Sequence, residues 1–119
     1  MNARIQAVVL DCPDPQALAT FYSELTGWPI VDADPGWYTL KGENDIELAF
    51  QQAPDHQPPR WPDPNHPQQF HIDFSVDDYE TAEPRALALG ATRLEGSEKH
   101  ASFRVYADPA GHPFCLCIS

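Results

Sequence analysis

The sequence predicts an α+β fold of two βαβββ modules in tandem, with curved mixed sheets enclosing a pocket and the helices outside. Three observations predict it. The order strand, helix, strand, strand, strand can be read twice along the 119 residues. Turn residues, chiefly Pro, Gly and Asp, punctuate both runs. Several strands alternate in polarity, as strands covered on one face do.

The first module occupies about 1–52. Ile5 to Leu10 is a β-branched-rich strand. Asp14 is placed to N-cap a helix and Pro15 to fill its first position, because Pro has no N–H to lose there. Leu18, Phe21, Tyr22 and Leu25 then form one apolar stripe, and Gly27 ends the helix. Trp28 to Val31, Trp37 to Lys41 and Ile46 to Gln51 form a three-strand meander. Its turns are Asp34-Pro35-Gly36 and Gly42-Glu43-Asn44-Asp45.

A Pro-rich segment, about 53–67, crowds six prolines around Trp61 and reads as a linker or lid. The second module, about 68–119, repeats the order. Phe70 to Val76 is a strand, and Asp77-Asp78 starts a helix. Tyr79, Ala82, Ala86 and Leu89 make its stripe, and Gly90 closes it. Pro84 fits if the regular helix begins near Glu80 or Thr81, which leaves it in the first turn. Ala91 to Leu94, Ser102 to Tyr106 and Phe114 to Ile118 are the last strands, with Asp108-Pro109-Ala110-Gly111 as the final turn.

Composition supports one folded domain, 1–119, rather than a disordered chain: 42% of residues are apolar and Phe, Tyr and Trp number 6, 4 and 3. A formal charge of −11, from 18 acidic and 7 basic residues, opposes binding to nucleic acid or an anionic membrane. The apolar run before Asp11 is too short for a signal peptide or a membrane span, so the expected location is cytoplasmic. Three cysteines, two of them spaced as neighbours on one strand face, read as free thiols in a reducing compartment.

Sliding the chain by 64 residues places Ala7-Val8-Val9-Leu10 on His71-Ile72-Asp73-Phe74, and sliding it by 68 places Ile46-Glu47-Leu48 on Phe114-Cys115-Leu116. One such unit cannot cover both its helix stripe and its sheet, which favours a pseudo-symmetric pair. The layout, with Asp14-Pro15, Phe21-Tyr22, Gly27-Trp28, His71-Ile72-Asp73, Val76-Asp77-Asp78 and Asp108-Pro109-Ala110-Gly111-His112-Pro113, resembles the glyoxalase/bleomycin-resistance/dioxygenase (vicinal oxygen chelate, VOC) superfamily over nearly the whole chain. The resemblance implies paired modules around a cavity, and commonly a homodimer.

Alternation separates a polar set on three strands. His71, Asp73 and Ser75 oppose Phe70, Ile72, Phe74 and Val76; Glu47, Ala49 and Gln51 oppose Ile46, Leu48 and Phe50; Cys115, Cys117 and Ser119 oppose Phe114, Leu116 and Ile118. Taken singly, Glu47 also suits a solvated strand face and His71 a hydrogen-bonded core position. The resemblance implies that Glu47 and His71 match two of four metal ligands in metal-dependent members. Ala7 and Cys115 stand at the other two positions, and Ala7 has no donor atom. A Glu47, His71 and Cys115 set with an open fourth position would suit zinc, with nickel, manganese and iron as the other candidates. No cofactor is otherwise expected. Trp37, Gln51, Trp61, Asp73, Arg104, Tyr106 and Cys115 are the ligand-binding candidates, although Trp37 and Tyr106 would serve equally in a core.

Three functions follow. The first is a small-molecule-binding protein with a degenerate metal site, its ligand an organic molecule for which the −11 charge favours a cation. The second is a metal-dependent lyase, isomerase or dioxygenase using Glu47 and His71. The third is metal-free acid–base catalysis by the same two residues.

Overall fold

A computed structural model describes residues 2–94 and 101–118. The expectation for Ser119 lies outside the described residues. The chain divides into two compact units, residues 1–56 and 57–119.

In the first unit, β1 (Ala7–Cys12) precedes α1 (Pro15–Thr26), and β2 (Ile30–Asp34), β3 (Trp37–Lys41) and β4 (Glu47–Gln52) complete a mixed sheet in the order β1-β4-β3-β2. β1 runs parallel to β4, and the other neighbours are antiparallel. The helix begins where its chemistry dictates: Asp14 accepts the Ala17 N–H at 3.2 Å, Pro15 follows, and Gly27 closes it at φ 82°. Leu18, Ala19, Phe21 and Tyr22 are buried against the sheet side formed by Leu10, Cys12, Leu40, Leu48 and Phe50. Tyr22 stacks on Phe50 with centroids 5.7 Å apart. Each of these large side chains contributes about 1.5–3 kcal/mol of burial.

Several boundaries differ from the sequence expectation: β1 lies two residues later than Ile5 to Leu10, β2 starts at Ile30, and the strand expected over Phe70 to Val76 is Ile72–Ser75, which leaves His71 just before it. Asp34 belongs to β2 and pairs with Trp37, so the hairpin turn is Pro35-Gly36 alone. Pairing with β3 carries β2 three residues past Val31.

The second unit contains β5 (Ile72–Ser75), α2 (Tyr79–Leu89), β6 (Thr92–Arg93), β7 (Phe103–Ala107) and β8 (Pro113–Cys117). Its sheet order is β5-β8-β7-β6, the same topology as the first. The chain therefore comprises two tandem βαβββ modules, each a four-stranded mixed sheet with one helix. Tyr106 stacks on Phe114 at 5.5 Å and Phe74 meets Phe114 edge-on at 6.1 Å, which centres this module's core on one phenylalanine.

Pro84 is not in the first turn of α2. Asp78 accepts the Thr81 N–H at 2.7 Å, fixing the helix start at Tyr79 and leaving Pro84 inside. An interior proline removes one helical hydrogen bond and costs about 3 kcal/mol in an isolated helix. The helix nevertheless persists to Gly90, because its sheet-facing side is anchored by more than apolar burial. Glu83 accepts the Tyr106 hydroxyl at 2.8 Å and pairs with Arg93 at 3.2 Å and Arg104 at 3.3 Å. The Arg104 guanidinium also lies 4.0 Å from the Tyr79 ring centroid.

The Pro-rich segment is folded locally. Arg60 N–H donates to the His66 carbonyl at 2.7 Å and Asp63 N–H to the Arg60 carbonyl at 2.6 Å. The Asp63 carboxyl is held below its ordinary range, first by the Asn65 N–H and then by His66. Among the described residues no helix is long and apolar enough to cross a membrane.

Candidate ligand site

Strand parity decides which side chains the second module turns away from its helix. β5 and β8 pair Asp73 with Cys115 and Ser75 with Cys117, and β7 brings Val105 opposite Cys115 and Phe103 opposite Cys117. Direct cross-strand partners share a face. Asp73, Cys115, Cys117, Val105 and Phe103 therefore stand on one side of the sheet, while Phe114, Leu116, Tyr106 and Arg104 stand on the side of α2.

A cavity of about 460 Å³ opens on the first of these faces. Phe103, Val105 and Ile118 supply apolar wall, and Trp61 adds an aromatic wall from the Pro-rich segment. Asp73, Cys115 and Cys117 provide sheet-borne polar groups and His71 another from just before β5, with Gln68 and Ser102 beside them. A mostly apolar concavity with few polar groups is the usual form of a small-molecule site.

The polar centre is compact. His71 Nε2 lies 3.0 Å from Asp73 Oδ1, and the donor atoms of His71, Asp73 and Cys115 all fall within 4.8 Å of one another. Cys115 is buried while the Asp73 side chain is 61% exposed, so the carboxylate faces the opening and the thiol lies at the floor. Burial, reinforced by the Asp73 charge and its hydrogen bond, pushes the Cys115 thiol up to about 12. Burial and then Asp73 raise Cys117 as well. Neither thiol is an activated nucleophile, which requires a lowered pKa.

The site combines some of the sequence candidates and separates others. Trp61, His71, Asp73 and Cys115 line the cavity together. Arg104 and Tyr106 do not; they have the opposite parity on β7 and are engaged by Glu83 beneath α2. Burial and then Glu83 raise the Tyr106 hydroxyl well above its ordinary range. Both residues thus move from the expected pocket wall to the helix interface. Glu47, Trp37 and Gln51 belong to the first module, on the face of its sheet opposite α1. There Glu47 has Ala7 and Lys41 as cross-strand partners and Gln51 has Trp37. Trp37 Nε1 donates to Thr39 Oγ1 at 2.8 Å.

Five wall residues, Gln68, Ser102, Phe103, Val105 and Ile118, were not sequence candidates, and Ile118 was expected on the opposite face. For Phe103 and Val105 the signal was present, since β7 alternates and only one parity matches Cys115 and Cys117.

The two modules also differ in register. In the first, Ala7 pairs with Glu47; the self-alignment equates these with His71 and Cys115, yet Cys115 pairs with Asp73. β5 is thus offset by two residues, and an even offset keeps each side chain on its face. Asp73 thereby joins His71 and Cys115, and the donor group of the second module forms without Glu47.

Whether this group suits the metal that the resemblance implies depends on its chemistry. His71, Asp73 and Cys115 offer three donor atoms close enough together to hold an ion, but Glu47 is not among them and Ala7 offers no donor. The residues present do not fit the four-ligand site, and no chemical step is derived through a metal.

Two tandem βαβββ modules, the second with a mostly apolar cavity on a sheet face, define a glyoxalase-like fold. The glyoxalase-like domain family matches residues 7–117. The chain belongs to that family, within the VOC superfamily. Similar solved structures include a glyoxalase/bleomycin resistance protein/dioxygenase family enzyme from Burkholderia phytofirmans, with 19% identity, TM-score 0.76 and 98% of each chain covered. The fosfomycin resistance protein FosX from Mesorhizobium loti is 16% identical, with TM-score 0.73 and coverage of 98% of this chain and 92% of that one. A bleomycin-binding protein from Streptomyces verticillus, complexed with copper(II)-bleomycin, is 16% identical with TM-score 0.62, covering 100% and 98%. No curated protein matches the sequence.

Proposed function

We propose that the protein is a small-molecule-binding member of its family, holding an organic ligand in the second-module cavity without a functional metal. The observation that carries this reading is the pairing of Asp73 with Cys115 at the cavity floor. It raises the cost of forming the thiolate that a metal ligand needs. The aromatic wall formed by Trp61 and Phe103 suits a ring-bearing ligand. Neighbours whose names specify resistance to fosfomycin or binding of bleomycin lend support from the same fold, although a fold hosts many chemistries. The reading includes a cytoplasmic homodimer, as the resemblance and the free cysteines suggest.

Elemental analysis of purified protein tests it, combined with thermal shifts against Zn²⁺, Ni²⁺, Mn²⁺ and Fe²⁺ in wild type, Glu47→Gln and His71→Ala. The expected result is substoichiometric metal and no metal-dependent shift. Stoichiometric metal that is lost in His71→Ala, whether or not Glu47→Gln also loses it, overturns the reading in favour of a metal-dependent protein.

A further inference from the structure

The charge distribution around the cavity specifies its ligand more closely. Resting on the binding reading above, we propose that the ligand is an organic cation with a flat apolar ring system. Its charged end sits at Asp73 and its ring lies against Trp61 and Phe103.

Four observations lead to this class. Among the described residues lining the cavity there is one carboxylate, Asp73, and no lysine or arginine. The two arginines of the same sheet, Arg93 and Arg104, are drawn to the opposite side by Glu83, so among the described residues neither a lysine nor an arginine pairs with Asp73. The groups that do meet Asp73 are the His71 imidazole and the Cys115 thiol. A carboxylate offers about four acceptor positions, so capacity remains for an ammonium or amidinium N–H. The chain as a whole carries −11, which steers cations toward it and anions away.

Desolvation then discriminates between ligand classes. A ligand that fills the cavity strips water from Asp73. A neutral ligand leaves that carboxylate undercompensated, and an anionic one adds like-charge repulsion. A cation replaces the lost hydration with a charge-assisted hydrogen bond. The electron-rich faces of Trp61 and Phe103 favour positive charge nearby.

Three probes sharing one ring isolate the charge: naphthylmethylammonium, naphthylmethanol and naphthoate. Each is titrated calorimetrically into the full chain at about pH 8, where a primary alkylammonium keeps its charge. The ammonium is expected to bind at least about tenfold more tightly than the alcohol, and naphthoate most weakly, the preference persisting at ~0.5 M salt because a contact pair is screened less than a distant one. In Asp73→Asn the preference for the ammonium over the alcohol should vanish, the ammonium weakening and the alcohol tightening as the penalty of desolvating the carboxylate is removed.

Equal binding of ammonium and alcohol by wild type overturns the cationic assignment while leaving the binding reading intact. A preference that survives Asp73→Asn, or that vanishes in salt, belongs to overall charge and overturns the role of Asp73. Binding of none of the three overturns both. The wild-type ratio decides the ligand class even if Asp73→Asn does not fold.

Discussion

Asp73 and Cys115 face each other as cross-strand partners on β5 and β8, and the carboxylate adds to burial in holding the thiol protonated. The ordinary value for the thiol is 9.0 and the folded value is about 12. Between these limits the unfolded chain binds fewer protons than the folded one, so this group's contribution to stability falls as pH rises through the window. Urea midpoints measured from about pH 8 to pH 11 should therefore decline more steeply in wild type than in Cys115→Ala. Parallel slopes would refute the assignment. Removing the charge should also accelerate alkylation of Cys115 by iodoacetamide in Asp73→Asn, read by peptide mass spectrometry.

Glu83 joins α2 to β6 and β7 through three partners, and its side chain is only 19% exposed. Glu83→Ala strands two arginines that are themselves about two-thirds covered, so a loss of about 2–3 kcal/mol is expected, below the full cost for a buried pair because water still reaches the group. Tyr106→Phe removes one charged hydrogen bond and should cost about 1.5 kcal/mol. A double variant should lose less than the sum, since both changes remove the same bond. Chemical denaturation of the four proteins measures this directly.

The repeat of element order was legible in the sequence because it rests on caps, turns and periodicity, which are local. Asp14, Gly27, Asp78 and Gly90 all act where their residue types predict. The site was less legible. His71, Asp73 and Cys115 emerged from alternation on single strands, whereas their grouping depends on the two-residue offset of β5 against β8, a property of pairing that neither strand encodes alone. Glu83 escaped notice because a glutamate on a helix normally reads as solvated; its role needs Arg93, Arg104 and Tyr106, supplied by two later strands. Pro84 was misplaced for a related reason, since the Asp78 cap outweighed the preference of proline for the first turn.

The Pro-rich segment is seated on the last turn through a glycine. Gly111 has φ +92°, and a Cβ there would collide with the ring of Pro58. Gly111→Ala should cost about 2 kcal/mol from the positive φ, with a further loss from displacing Pro58. Combining it with Pro58→Gly removes the collision but not the backbone strain, so the two changes should be less than additive. The same displacement should shift the emission of tryptophan, and Trp61→Phe should abolish that shift. Additive denaturation free energies would separate Pro58 from Gly111 and count against the seating.

Parity on β7 yields the sharpest contrast between neighbours. Phe103 stands over the cavity and Arg104, next in sequence, reaches under α2. Phe103→Ala should weaken naphthylmethanol binding by about tenfold, the scale of losing one aromatic wall, while changing stability modestly because the ring is only half-buried. Arg104→Met should do the reverse. It keeps much of the aliphatic bulk, leaves affinity within about twofold, and lowers stability by about 1 kcal/mol through the lost Glu83 pair and Tyr79 stacking. Calorimetry and urea denaturation on the two variants check both halves. If Arg104→Met weakened binding as much as Phe103→Ala, the cavity would have to extend to the α2 face of the sheet, and the assignment of Asp73 as its principal charge would fall with that change.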